Sequence, residues 1–213
     1  RNFNLANAET ITWKSKDGTM VEGILYTPHD FDENRQYPLI VQVHGGPASA
    51  SMRRFSASHG GYIHTLTAHD YTVLQPNYRG SNNYGENFRM QIAGNYFQKG
   101  YEDIMTGVDY LIDRGIAHPD SLGHMGWSAG GHWSNWALVS TDRFKAIASG
   151  AGGMNWISMY AQTDTQASRE FYFEGNPYDN FKGFWDVSPL KFIKNAKTPT
   201  LIHVVKGDPR VPS

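Results

Sequence analysis

The chain has 213 residues, a net charge of −1 from 19 Lys and Arg against 20 Asp and Glu, and no cysteine. This length can fill one well-packed domain, and two independent domains are not required. The balanced charge offers no basic field to gather phosphates, so a nucleic-acid partner is not expected. Without cysteine there is no disulfide, no cysteine zinc site and no thiol chemistry.

No apolar run approaches the roughly 20 residues that cross a bilayer, and no basic stretch followed by an apolar segment opens the chain. We therefore expect no membrane partner. A chain without disulfides can live in any compartment, and the cytoplasm is favoured only slightly over the periplasm or secretion. The chain begins at Arg1, without a methionine, and stops at Ser213 directly after a charged loop, so we expect a piece cut from a longer protein.

The first predicted element is an antiparallel hairpin over residues 10–27, where apolar and polar residues alternate on both sides of Asp17-Gly18. That pair suits the positive φ angles of a tight turn. Two short apolar runs rich in β-branched residues follow at 38–43 and 73–78. Their composition is typical of strands that are buried on both faces of a sheet.

A helix is predicted over residues 101–114, because Ile104, Val108, Leu111 and Ile112 recur at helical spacing and Gly115 can end the helix. Further strands are predicted at 122–125, 145–148 and 200–205, with a helix that follows Ser128 and runs to about Ser140. Strands that alternate with helices across short loops predict βαβ units, and hence a mostly parallel sheet with helices on both faces. Residues 150–195 are aromatic and poorly periodic, which favours an excursion over one end of the sheet.

The residues that carry chemistry begin with GWSAG at 126–130, a GxSxG pattern between a predicted strand and a predicted helix. A serine needs a neighbouring base and donors for the oxyanion before it can attack a carbonyl, and a sharp strand-to-helix turn exposes its hydroxyl. Ser128 is therefore a candidate nucleophile. Because the chain holds 22 glycines, the alternative is a chance match in a glycine-rich turn.

A second signal is HGGP at 44–47, which follows the predicted strand 38–43. A glycine loop at this place can offer a backbone N–H to an oxyanion, together with the residue after the nucleophile. The alternative is an ordinary turn in which His44 has a structural hydrogen bond. Two partial signals in the required chain order favour a hydrolase more than either signal alone.

With these motifs in place, the chain resembles the catalytic domain of the prolyl oligopeptidase family of serine peptidases, near its acylaminoacyl-peptidase and dipeptidyl-peptidase-like members. The matching stretches run in order over nearly the whole chain: SKDGTMVEGILYTP, YPLIVQVHGGP, PNYRGSNNYG, GYEDIMTGVDYLI, GHMGWSAGGH, SPLKFIKNAKTPTLIH and GDPRVP. The resemblance implies one α/β-hydrolase domain over residues 1–213, a Ser, Asp, His triad in that order and hydrolysis of short peptides. It also implies that the C-terminal strand and helix of the domain, and the family's N-terminal β-propeller, are missing from this chain.

Carried over by position, the resemblance makes Ser128 the nucleophile, Ala129 and Gly46 the oxyanion donors, and Asp208 the triad acid. Asp208 also follows a predicted strand at a sheet edge, where loops carry catalytic groups. One departure concerns the residues before it: the family usually has a histidine, a glycine and an acidic residue there, whereas residues 203–207 read HVVKG. The alternative for Asp208 is a loop carboxylate paired with Lys206 or Arg210.

The third triad member is missing from the pattern, although the chain holds nine histidines. His44 lies in the HGGP loop, His132 in the predicted helix after Ser128, and His203 in a strand expected to be buried, so each is expected to be structural. In the resembling family the histidine follows the aspartate by a few tens of residues. We therefore expect the base to lie outside this chain, and the chain alone to be nearly inactive.

Arg79 is expected to be a structural arginine that braces the HGGP loop. The aromatics of the excursion together suggest an apolar pocket for the acyl side of the substrate, whereas core packing is the expected role of any single one: Trp156, Tyr160, Phe171, Tyr172, Phe173 and Trp185. The expected substrate is a short peptide, without metal or cofactor, and a homo-oligomer is left open. Two other functions remain: a carboxylesterase with the same triad, and an inactive relative that binds peptides.

Overall fold

The computed structural model describes residues 4–55 and 61–212. Its sheet has seven strands: β1 (Asn7–Lys14), β2 (Met20–Thr27), β3 (Tyr37–Val43), β4 (Thr72–Asn77), β5 (Ala117–Trp127), β6 (Phe144–Gly150) and β7 (Thr200–His203). Their order across the sheet is β1-β2-β4-β3-β5-β6-β7. β1, β2 and β4 pair antiparallel, and β4, β3, β5, β6 and β7 pair parallel.

Seven α-helices lie in the described ranges: α1 (Ile63–Thr67), α2 (Glu86–Met90), α3 (Gln98–Asp113), α4 (Ala129–Ser140), α5 (Trp156–Gln162), α6 (Gln166–Phe173) and α7 (Phe181–Asp186). A 3-10 helix spans Pro189–Asn195. The predicted hairpin, the two interior strands and the two long helices are confirmed, with bounds that differ by a few residues. The strand predicted at 122–125 is longer, and β7 is shorter than the predicted 200–205.

The alternation of the strands divides the core between the two faces of the sheet. Ile24 and Val73 face one side, where they pack with Ile63 of α1. Leu39 and Leu74 belong to the larger cluster on the other side, which includes the apolar faces of α3 and α4. The prediction of a mostly parallel sheet with helices on both faces is therefore confirmed.

β7 is the outer strand of the described sheet, and it is more exposed than its composition predicts. The side chains of Leu201 and Ile202 are each 58% exposed. His203 is exposed as well, so the prediction that it lies in a buried strand is wrong.

Arg79 is fully buried, as a structural arginine should be, but its partners differ from the prediction. Its guanidinium pairs with Asp103 of α3 at 2.7 Å and with Asp17 in the hairpin turn. It also donates to Ser15 Oγ at 3.1 Å. The arginine therefore ties the β1–β2 hairpin to α3; none of these bonds goes to the HGGP loop, so direct bracing of that loop by the Arg79 side chain is wrong.

The aromatic excursion folds as α5, α6, α7 and the 3-10 helix over one end of the sheet. Trp156, Tyr160 and Phe173 are buried in the main core, where Trp156 and Phe173 have ring centroids 4.8 Å apart. Phe171 is 45% exposed. Core packing thus accounts for the three buried rings, as the sequence predicted for any single one of them.

Candidate active site

Ser128 occupies the single residue between the end of β5 and the start of α4, and its backbone angles are φ 59° and ψ −121°. A non-glycine residue with positive φ is strained, and such strain is found where a functional group must be presented. The turn is fixed on both sides: Ser128 N–H donates to Gly150 O at 2.9 Å, and His132 N–H donates to Ser128 O at 3.0 Å. The predicted strand–turn–helix setting of this serine is therefore present.

The glycines around Ser128 are required by close backbone packing. A Cβ at Gly126 would lie 2.4 Å from Gly130 C, and a Cβ at Gly130 would lie 2.1 Å from Val43 O. A Cβ at Gly131 would lie 2.2 Å from Gly150 O. Because backbone atoms cannot move aside as flexible side chains do, these contacts explain why the turn reads GxSxGG and argue against a chance match.

The HGGP loop approaches the hydroxyl of Ser128. A Cβ at Gly45 would lie 3.3 Å from Ser128 Cβ and 3.9 Å from Ser128 Oγ. Gly46 has φ 123°, and a Cβ there would lie 2.7 Å from Ala48 N. Ala129 is the first residue of α4, where backbone N–H groups have no partner inside the helix. The candidate nucleophile thus lies between a glycine loop and a helix N-terminus.

His44 is held inside the loop. Its Nδ1 lies 2.8 Å from Gly45 O and its Nε2 lies 2.9 Å from Ser81 Oγ. Burial lowers the pKa of His44 to about 4, so the ring is neutral at pH 7. A ring with both nitrogens engaged is a structural histidine, which agrees with the expectation from the sequence.

His132 and His124 are also buried. The Nδ1 of His132 is 3.1 Å from Tyr96 Oη, and burial together with the nearby Arg169 lowers the pKa of His132 well below its usual value. Burial lowers the pKa of His124 to about 3. Among residues 4–55 and 61–212, no histidine hydrogen bonds to the hydroxyl of Ser128; His59 lies outside the described residues.

Asp208 lies five residues beyond β7, at the end of the sheet where the carboxyl ends of the parallel strands lie. Its Oδ1 accepts N–H bonds from Arg210 at 2.8 Å and from Val211 at 3.1 Å. The Arg210 guanidinium pairs instead with Asp164, 2.8 Å away. The loop of Asp208 is therefore a turn stabilised by its own backbone and attached to the α5–α6 connection.

The parallel strands bring the candidate residues to the same end of the sheet, where the carboxyl ends of these strands lie. β3, β5 and β7 are parallel to one another and end at Val43, Trp127 and His203, so the loops that carry Gly46, Ser128 and Asp208 leave from the same end. This is where α/β sheets carry their sites.

No cluster of three His, Asp or Glu side chains suited to a metal occurs in the described part of the chain. Nor does any helix within it have the length and apolar character needed to cross a membrane.

Comparison with known proteins identifies the family of this chain. The family model described as the prolyl oligopeptidase family matches residues 57–213. The chain belongs to that family. The uncharacterized peptidase YuxL of Bacillus subtilis is 35% identical over 221 residues, covering 100% of this chain and 32% of that protein. The acylamino-acid-releasing enzyme of Arabidopsis thaliana is 31% identical, covering 90% of this chain and 26% of that protein.

The acylaminoacyl peptidase of Pyrococcus horikoshii superposes with a TM-score of 0.89 at 29% identity, and the match covers 98% of this chain and 33% of that structure. The α/β-hydrolase fold implied by the resemblance is therefore confirmed. The chain spans about a third or less of the length of these prolyl oligopeptidase relatives.

Proposed function

We propose that the protein carrying this chain is a serine peptidase that hydrolyses short peptides through an acyl-enzyme on Ser128. The observation that carries the proposal is the strained turn of Ser128 between β5 and α4, held by glycines that admit no Cβ and faced by the HGGP loop. Membership of the prolyl oligopeptidase family supports peptide hydrolysis, and two relatives are named for acylated amino-acid substrates.

In this proposal the Ser128 hydroxyl oxygen attacks the substrate carbonyl while a base takes its proton. The backbone N–H groups of Ala129 and Gly46 donate to the oxyanion that forms. The C–N bond then breaks, and the amine leaves with the proton from the base. Water gives a proton to the base and attacks the acyl ester, and the Ser128 oxygen leaves and takes that proton back. Asp208 orients the base.

In this proposal the base is a histidine that lies outside residues 1–213. The histidines packed near Ser128 support this, because His44, His124 and His132 each use a ring nitrogen in a hydrogen bond to another residue, and no described histidine bonds to the Ser128 hydroxyl. General-base help contributes typically about 10² to 10⁴ in rate, and more when a triad acts as a unit. Residues 1–213 alone should therefore react slowly.

The test is covalent labelling of the intact protein with a fluorophosphonate, followed by peptide mapping of the labelled residue. We expect rapid labelling at Ser128, none in Ser128→Ala, and unchanged labelling in Ser140→Ala, a matched change at an exposed serine of α4. Residues 1–213 alone should label much more slowly. Equally rapid labelling of that chain would show that the base lies within it, and absence of labelling in the intact protein would favour an inactive peptide-binding relative.

Substrate class is tested by comparing kcat/KM for peptide anilides with kcat/KM for aryl esters on the intact protein. Esters are intrinsically easier to cleave, so a peptidase shows clear anilide turnover that disappears in Ser128→Ala. Ester turnover without any anilide turnover would instead support the carboxylesterase.

A further inference from the structure

Residues 77–82, which begin at the last residue of β4, contact residues 44–51 at several points. We name residues 77–82 the clamp and residues 44–51 the oxyanion loop. At the start of the loop, Tyr78 Oη donates to His44 O at 3.1 Å. The rings of Tyr78 and His44 stack with centroids 4.6 Å apart and an angle of 19°. The residue two before Gly46 is therefore fixed through both its backbone and its side chain.

Ser81 holds the other side of the same histidine. Because a carbonyl only accepts hydrogen bonds, the Nδ1 of His44 that faces Gly45 O at 2.8 Å must carry the ring proton. The Nε2, which is 2.9 Å from Ser81 Oγ, is then an acceptor that faces the Ser81 hydroxyl. Ser81 Oγ also lies 2.7 Å from Tyr78 O, so its single proton has two acceptors within reach.

Two asparagines hold the middle and the end of the oxyanion loop. Asn82 donates from its backbone N–H to Ser49 O at 2.8 Å and from its side chain to Ala48 O at 2.7 Å. Asn77, which is fully buried, accepts from Ser51 N at 2.7 Å and donates to Ser51 O at 3.0 Å. The loop is therefore held on both sides of Gly46 by side chains that belong to the clamp.

The clamp itself is anchored in the core. Arg79 N–H donates to Asp103 Oδ2 at 2.8 Å, and the Arg79 guanidinium is buried against the same carboxylate. A buried and fully paired group of this kind resists displacement, since breaking it would leave an uncompensated charge. The oxyanion loop is thus attached through the clamp to α3.

We propose that Asn77, Ser81 and Asn82 are positioning residues that set the place of the Gly46 N–H, a role that rests on the proposed function. A backbone donor helps only if it meets the oxyanion at hydrogen-bonding distance, and displacement of a catalytic group by about 1 Å can cost about 10²-fold in rate. These side chains act through Gly46 and are not placed in contact with the substrate.

The decisive variant is Asn82→Ala in the intact protein. Asn82 is half-buried, and the change removes the side-chain bond to Ala48 while the backbone bond to Ser49 remains. The matched control is Asn87→Ala, the same change at an exposed position of α2. Peptide-anilide turnover is divided by the number of active sites, counted by fluorophosphonate titration.

We expect kcat per titrated site to fall at least about tenfold in Asn82→Ala, with KM within about twofold, because loss of a whole oxyanion donor costs about 10² to 10³ in kcat. Inhibition by a peptidyl trifluoromethyl ketone, whose adduct carries the oxyanion, should weaken by the same factor, whereas product inhibition by the peptide acid should not change. Asn82→Gln, which keeps the amide donor, should recover part of kcat, and Asn87→Ala should match the wild type.

A purely structural role predicts a different result, namely fewer titrated sites with unchanged kcat per site, and that result would overturn the proposal. Amide hydrogen exchange gives a readout that does not need activity: exchange over residues 44–51 should accelerate in Asn77→Ala and Asn82→Ala but not in Asn87→Ala. Unchanged exchange also overturns the proposal. If the wild type is as inert as Ser128→Ala, the proposed function has failed, whereas an active wild type with an unaffected Asn82→Ala variant refutes the positioning role alone.

Discussion

Gly130→Ala tests whether close packing of the Ser128 turn against β3 supports both stability and the site. The added methyl would lie 2.1 Å from Val43 O and 2.9 Å from Val43 C. Both are backbone atoms of the strand whose end continues into His44. The methyl has no flexible neighbour that can move aside, so either α4 or the end of β3 must shift.

The expected loss of unfolding free energy follows from the distance between the added methyl and Val43 O. Ordinary van der Waals contact begins near 3.4 Å, so the two backbones must separate by about 1.3 Å. Overpacking of a core costs about 1 to 3 kcal/mol, and we expect the upper end, about 3 kcal/mol, because backbone rather than side chain is displaced. That loss lowers the melting temperature by roughly 6 to 12 °C at about 2 to 4 °C per kcal/mol for a domain of this size.

The assay is differential scanning calorimetry of the intact protein, together with peptide-anilide turnover. Turnover should fall by about 10²-fold because displacement of Val43 also displaces the HGGP loop. Gly153→Ala is the matched control: the nearest atom to its methyl is Met159 Sδ at 3.3 Å, which belongs to a flexible side chain. A Gly130→Ala protein that melts within about 2 °C of the wild type, with normal turnover, would refute this packing argument.

Three further predictions concern pH, buried charge and the approach to the hydroxyl. Burial lowers the pKa of His124 to about 3, so the free energy of unfolding that depends on its neutral ring is fully present above the unfolded pKa near 6.5 and is lost as pH falls towards 3. In His124→Asn, the slope of the urea-unfolding free energy against pH should decrease over that range by up to about 1.4 kcal/mol per pH unit. An unchanged slope would contradict this. Asp103→Asn should cost about 3 to 5 kcal/mol of unfolding free energy because Arg79 loses its buried partner. Asp17→Asn, at the more exposed end of the same arginine, should cost under about 1 kcal/mol, and equal losses would show that burial does not govern this pair. Gly45→Ala, whose methyl would lie 3.0 Å from Trp127 O, should lower kcat/KM for peptide anilides by about 10²-fold, whereas an unaffected rate would place the loop away from the reaction.

Local patterns predicted the elements that the fold confirms. The apolar composition of the segments that form β3 and β4 indicated interior strands, and the spacing of Ile104, Val108 and Leu111 indicated α3. The GxSxG and HGGP motifs located the turn of Ser128 and the loop beside it. These features depend on residues close in sequence, which explains why they could be identified without a structure.

Long-range partners could not be identified in the same way. Arg79 was correctly expected to be structural, but its bonds to Asp103 and Asp17 join positions 24 and 62 residues away. The clamp lies within one of the stretches that resemble the family, yet the side-chain bond from Asn82 to Ala48 of the oxyanion loop spans 34 residues and is visible only in the fold.

The buried arginine also sets a limit on how short a folding unit this protein can have. The β1–β2 hairpin covers it: Trp13, only 3% exposed, donates from Nε1 to Asp103 O at 2.9 Å, and Ser15 and Asp17 bind the guanidinium directly. A version of the chain that began at β3 would leave Arg79 facing water on one side and would uncover β4. The hairpin carries no residue of the candidate site, yet a unit that folds on its own must include it.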